Sequence, residues 1–159
     1  MDFRVGNGYD VHQLADGLPL VLGGISIPHA KGCIAHSDGD VLIHALCDAL
    51  LGALALGDIG HHFPDTSEAF AGIDSKILLA CVVDMIRERG WSVVNVDCTL
   101  LAQKPKIAPY VPQMRQALSD VLDIPLEAVS VKATTTERLG VVGREEGIAA
   151  YATCLLKNE

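Results

Sequence analysis

The stretch SDGDVLIHALCDALLGALAL, residues 37–56, decides how this chain folds. Its apolar residues run round the whole circumference of a helix of period 3.6, the pattern of a helix covered on every side. Ser37 reads as the N-cap, with Asp40 three residues later completing a capping box, and the helix is expected to end near Gly57. Asp40, His44 and Asp48 recur at i, i+4 and i+8, which draws one polar line down an otherwise apolar cylinder, continued by Gly52. Asp40 there completes the cap, and Asp48 is read as a partner that orients a ligand residue. Taken alone, His44 reads as a hydrogen-bonded core histidine.

A helix buried all round needs a sheet beneath it and further helices beside it. Strand signals stand upstream in FRVGNGYDVH (3–12) and LPLVLGGISI (18–27), followed by a loop to His36. Downstream, DSKILLACVVDMIRERG (74–90) is a second helix, WSVVNVDCTLLAQ (91–103) a strand, KPKIAP (104–109) a stiff loop and YVPQMRQALSDVLD (110–123) a third helix. Strands VSVKATT (129–135) and GIAAYATCLLK (147–157) close the chain. The last of these is apolar on both faces, so a second cover, such as a subunit interface, is needed beyond the helices. The polar loop DIGHHFPDTSEAFAGI (58–73) is long for a compact domain, which points to a functional segment, with His61 and His62 as solvated loop residues.

With 159 residues the chain fits one domain, 1–159, large enough to bury roughly 70% of its unfolded surface. Half of its residues are hydrophobic and 4% aromatic, a composition that favours burial between subunits. The net charge of −8 argues against nucleic acid and anionic membranes as partners, and no apolar run is long enough to span a bilayer. Five dispersed cysteines without a C-x-x-C pair read as small core residues in a reducing compartment, so a cytoplasmic location is expected.

In the first strand Asp10 and His12 stand two apart and therefore share a face. A D-x-H pair alone is compatible with a solvated strand end. With His44 it becomes one carboxylate and two imidazoles, a set suited to Zn²⁺ with a fourth position open. A second cluster gathers Thr134, Thr135, Thr136, Glu137 and Arg144: hydroxyls, a carboxylate able to hold Mg²⁺ and a guanidinium, together suited to a polyphosphate.

GYDVH (8–12), AHSDGDVLIHAL (35–46), DIGHHFPDT (58–66), LLAQKPKIAPY (100–110) and VKATTTERLGVVGREEGIA (131–149) closely resemble, in order and spacing, the 2-C-methyl-D-erythritol 2,4-cyclodiphosphate synthase family of the non-mevalonate isoprenoid pathway. The resemblance implies an α+β fold (an α/β sandwich) with a mixed four-stranded main sheet and helices on one face. It also implies a homotrimer, with the sheets around the threefold axis and active sites between subunits.

Carried over residue by residue, it implies that Asp10, His12 and His44 hold Zn²⁺ and that Glu137 holds a second divalent cation, Mg²⁺ or Mn²⁺, bridging a diphosphate. His36 and Thr135 match transition-state stabilisers. Ser37 with Phe63, Pro64, Asp65, Thr66 and Ser67 would contact the methylerythritol phosphate, and Asp58, Ile59 and Gly60 the ribose. Ala102, Gln103, Lys104, Pro105, Lys106, Ile107 and Ala108, with Thr134, Thr135 and Thr136, would form a cytidine pocket for the neighbouring subunit. Lys106 and Arg144 would add positive charge. Val141 stands where an aromatic is familiar in the family, and Glu145 where Gly is common. An isoprenoid diphosphate is the further partner implied, in the central cavity near Arg144.

The activity implied is conversion of 4-diphosphocytidyl-2-C-methyl-D-erythritol 2-phosphate into a cyclic diphosphate and CMP, a lyase reaction. Two other readings compete: a zinc phosphohydrolase, and a non-catalytic trimeric protein that binds metal or isoprenoid diphosphate.

Overall fold

The structure, a computed structural model, describes residues 1–158. Five strands form the main sheet: β1 (Phe3–Asp16), β4 (Lys31–Cys33), β5 (Trp91–Leu101), β6 (Val129–Thr134) and β7 (Gly147–Asn158). Between β1 and β4 lies the hairpin of β2 (Leu20–Leu22) and β3 (Ile25–Ile27), a separate two-stranded sheet. The helices are α1 (Val41–Ala53), α2 (Ile59–His62), α3 (Ser75–Arg87), α4 (Val111–Leu122) and the single turn α5 (Gly140–Gly143).

The strand order is β4-β1-β7-β5-β6, with β5 and β6 parallel and the other pairs antiparallel. The sheet is thus mixed, as expected, but has five strands instead of four. The extra one, β4, comes from the segment read as a loop to His36, and its three residues are too few to carry an alternating pattern.

Alternation explains how the sheet is layered. In β7, Ile148, Ala150, Ala152, Cys154 and Leu156 are buried beneath the helices. In β1 the opposite parity carries Phe3, Val5, Tyr9 and Val11, which are exposed, as is Tyr151 of β7. The twice-apolar character read from the sequence therefore belongs to the sheet as a whole: one face is packed by helices and the other presents an apolar patch.

Eleven of the thirteen residues of α1 are buried, the two exceptions being Asp48 and Gly52 on the polar line. The helix lies against β1 through two glycines. A Cβ at Gly6 would sit 1.8 Å from the Ala49 carbonyl oxygen, and one at Gly8 2.0 Å from that of Ala45, so only glycine admits this approach. Ala45, Ala49 and Ala53, buried on α1, supply the complementary small side chains.

The helix starts later and ends earlier than expected. Gly39 takes a left-handed φ of 76°, which no helical residue shares, so the N-cap is Asp40 and not Ser37. Asp40 accepts from the Ile43 amide at 3.1 Å and, fully buried, also from Gly23 at 2.9 Å and Gly24 at 2.6 Å in the β2–β3 turn. The helix stops at Ala53 because Ala55 turns the chain with φ 55°.

Candidate active site

Asp10 and His12 emerge from the face of β1 that meets α1, and the glycine-mediated contact one turn away brings His44 down beside them. The Asp10 Oδ2 atom is 3.1 Å from His12 Nδ1 and 3.3 Å from His44 Nδ1. All three potential ligand atoms lie within 4.8 Å of one another. Two donors on a tetrahedral ion with bonds of about 2.0–2.1 Å stand roughly 3.3 Å apart, so the spacing suits a zinc-sized ion. His12 Nδ1 is buried and makes no directed hydrogen bond of its own, as a metal-binding atom would in the absence of its ion. Burial would raise the Asp10 carboxyl, but its close contacts with the His12 and His44 imidazoles outweigh it and bring the pKa down to about 2. The carboxylate is held ionised, ready for a cation.

These residues line a cleft of about 400 Å³ together with His36, Ser37, Ile59, Gly60, Phe63 and Asp65. The long loop forms its far wall. Its first turn is α2, where Asp58 serves as cap and accepts from the His61 amide at 2.9 Å. Asp48 accepts from the Ile59 amide at 2.8 Å. Asp48 thus anchors the loop and does not support a ligand histidine: Gly57 lets the chain double back over the exposed end of α1, which brings the Ile59 amide to the carboxylate. His36 Nε2 donates to the Ser67 carbonyl at 2.8 Å, which ties the loop back across the cleft. Of the loop residues read as substrate contacts, Asp58, Pro64, Thr66 and Ser67 do not line the cleft. His61 and His62 lie on α2, and His62 Nε2 donates to the Leu56 carbonyl at 2.8 Å, so His62 is not simply a solvated loop residue.

The second predicted cluster assembles elsewhere. The Ala102 amide donates to the Thr134 carbonyl at 3.0 Å, and the Arg138 amide to Gln103 Oε1 at 3.1 Å, so the 102–108 loop and the threonine-rich turn form one unit. Thr135 Oγ1 donates to Glu137 Oε1 at 3.2 Å. Glu137 and Arg138 both take left-handed φ values, 53° and 63°, a costly pair for residues with a Cβ and typical of a site-forming turn. Ala102 and Ile107 are buried; Lys104 and Lys106 are exposed, and Lys104 Nζ reaches Glu145 Oε1 at 3.4 Å.

Arg144 is not beside the threonines. Its guanidinium closes on Glu146 through Nε at 2.9 Å and Nη2 at 3.1 Å. It lines a second cavity, of about 660 Å³, with Val11, His12, Lys31 and Val141. Glu145 has φ 58°, which accounts for the familiarity of Gly there.

Register places the two clusters relative to each other. Asp10 pairs with Ala150, Ala150 with Leu100 and Leu100 with Ala133, so the metal-type cluster and the threonine turn sit at the same end of the sheet. They are three inter-strand spacings apart, about 14 Å. One chain thus carries two separate clusters, three strands apart at one end of its sheet.

A model of the YgbB family matches residues 3–157. The chain belongs to the YgbB family. A 2-C-methyl-D-erythritol 2,4-cyclodiphosphate synthase from Thioalkalivibrio sulfidiphilus is 61% identical over 157 residues, covering 99% of this chain and 98% of the relative. Among solved structures, the bifunctional IspDF of Campylobacter jejuni superposes with a TM-score of 0.95 at 43% identity, covering 99% of this chain, which spans 43% of that longer protein. IspF of Plasmodium falciparum in complex with CDP superposes with a TM-score of 0.86 at 35% identity, over 99% of this chain and 97% of that one. For this YgbB-family chain, reading the sequence missed Ser75, whose hydroxyl meets His44 from the start of α3, and Asp38, which accepts from that hydroxyl out of the preceding turn. Only the spacing of His44 from the α3 N-terminus in space, invisible in sequence, brings them in.

Proposed function

We propose that this YgbB-family chain, as a single domain over residues 1–159, converts 4-diphosphocytidyl-2-C-methyl-D-erythritol 2-phosphate into 2-C-methyl-D-erythritol 2,4-cyclodiphosphate and CMP. The observation that carries the reading is the convergence of Asp10, His12 and His44 on one point at the floor of a substrate-sized cleft. The 61% identity to a named cyclodiphosphate synthase and the CDP-bound structural relative support it.

In the reaction a 2-phosphate oxygen bonds to the β-phosphorus, the bond from that phosphorus to the bridging α,β-oxygen breaks, and the electron pair leaves with CMP. Zn²⁺ at Asp10, His12 and His44 would supply polarisation and orientation of the β-phosphate, with Mg²⁺ or Mn²⁺ at Glu137 supplying charge neutralisation along the diphosphate. The nucleophile is already an anion, so the protein's residues need no general base and instead align and screen. His36 and Thr135 would donate to oxygens that gain charge at the β-phosphorus. Ile59 and Gly60 would contact the ribose, and Ser37, Phe63 and Asp65 the methylerythritol phosphate, together excluding water. The 102–108 loop and Thr134–Thr136 would hold the cytidine.

The separation of the two half-sites supports a homotrimer in which the metal cluster of one chain meets the threonine turn of the next. The exposed Phe3, Val5, Tyr9, Val11 and Tyr151 supply an apolar face for its axis. An isoprenoid diphosphate in the central cavity would have to draw Arg144 away from Glu146.

Phosphorus NMR of a reaction containing Zn²⁺, Mg²⁺ and this substrate tests the function. CMP and one cyclic diphosphate should appear in equal amounts, and linear phosphate products would contradict it.

A further inference from the structure

We propose that Asp38 and Ser75 position the His44 imidazole for metal binding by fixing its proton on Nε2. The inference rests on the reading of Asp10, His12 and His44 as metal ligands and assigns two further residues to that site.

Ser75, the first residue of α3, is fully buried, and its Oγ lies 2.9 Å from His44 Nε2. The same hydroxyl donates to Asp38 Oδ1 at 2.5 Å, and the Ser75 amide donates to Asp38 Oδ2 at 3.0 Å. Both Asp38 oxygens thus serve as acceptors, Oδ1 for the hydroxyl and Oδ2 for the amide. The hydroxyl hydrogen is therefore committed to Asp38, and the Ser75 oxygen faces the imidazole with lone pairs alone. The hydrogen between Ser75 Oγ and Nε2 must then come from His44. Ser37 Oγ, 3.1 Å from Nε2, offers a second acceptor for it.

With its proton on Nε2, neutral His44 presents a lone pair at Nδ1, toward Asp10 Oδ2 at 3.3 Å. Two acceptors then face each other across a gap that only a cation can make favourable. With the proton on Nδ1 instead, His44 would donate to Asp10 and occupy both ligand atoms at once. The direction of donation, His44 to Ser75 to Asp38, selects the metal-binding tautomer.

Capping of α3 does not explain the arrangement. Asp74 is already the N-cap, accepting from the Lys76 amide at 2.9 Å. The Asp38 carboxylate adds a bond to the Ser75 hydroxyl, and a purely structural cap has no need of a hydroxyl there. Asp38 also accepts from the Asp40 amide at 3.1 Å, which fixes it to the start of α1, the helix that carries His44.

The test compares wild type, Ser75→Ala and Asp38→Asn as assembled proteins with folding checked by circular dichroism. Zinc affinity is measured by competition with a chromophoric chelator, and the His44 tautomer by ¹⁵N NMR of the metal-free protein at mildly alkaline pH. Metal-free wild type should show His44 protonated on Nε2, whereas both variants should lose that preference and bind zinc about 10–100-fold more weakly. If Asp38→Asn does not fold, Ser75→Ala alone decides. Wild-type zinc affinity together with an unchanged Nε2–H signal in Ser75→Ala would overturn the proposal. A wild-type protein that takes up no zinc would instead sink the metal reading, which the NMR signal of the metal-free protein does not depend on.

Discussion

Gly8 of β1 and Ala45 of α1 meet so closely that a Cβ on the glycine would lie 2.0 Å from the alanine's carbonyl oxygen. This contact sets the height of α1 above the sheet and with it the distance from His44 to Asp10 and His12. Gly8→Ala should push the helix away, costing about 2–3 kcal/mol of stability. It should also lower zinc content, although no ligand has been changed. Urea unfolding and elemental analysis on the same preparation check both effects, and a destabilised variant with full zinc occupancy would break the link between packing and site.

The metal-type cluster and the threonine turn lie three strands apart in one chain, and on the proposed reading each complete site joins the cluster of one chain to the turn of another. Asp10→Asn and Glu137→Gln should each be nearly inactive alone. Unfolded together and reassembled, they should recover activity, because some interfaces then join an intact metal cluster to an intact threonine turn. Activity of the mixture no greater than that of the separate variants would place both half-sites within one chain.

Asp40 gives a pH signature. Burial pushes its carboxyl up to about 6, against the amides of Gly24, Ile43 and Gly23, which favour the ionised form. The folded protein holds this proton more tightly than the unfolded chain, where the value is near 3.8. The group's contribution is therefore full below about pH 4 and is lost as the pH rises through about 6. Asp40→Asn does not titrate, so the stability of wild type relative to it should fall between about pH 4 and about pH 7. Urea unfolding of both metal-free proteins measures this, and a constant difference would mean that Asp40 stays ionised throughout.

Much of this was legible in residue order because it depends on short-range pattern. The all-round apolarity of α1, the apolar character of the closing strand on both faces, and the i, i+2 spacing of Asp10 and His12 each follow from local geometry. What could not be read depends on contacts between distant segments. Ser37 looked like a cap because nothing local shows Gly39 turning the chain with a left-handed φ. Asp48 looked like a partner of His44 because both lie on one helix line, yet the Ile59 amide claims it from the following loop. Arg144 looked like part of the threonine cluster because it follows closely in sequence, yet it lines the second cavity, where its guanidinium meets Glu146. Asp38 and Ser75 are 37 residues apart, and neither carries a motif that would join them.

The central claim is that the substrate's own phosphate, and not water, attacks the β-phosphorus. A tethered and aligned nucleophile can reach an effective concentration on the order of 10⁵ M, far above that of bulk water, so cyclisation should outrun hydrolysis in the cleft. The most direct measurement is mass spectrometry of the products formed in ¹⁸O-water by the zinc- and magnesium-loaded protein. The cyclic diphosphate and CMP should carry no solvent oxygen. Linear phosphate products labelled with ¹⁸O as the main outcome would contradict the account and make the protein a phosphohydrolase.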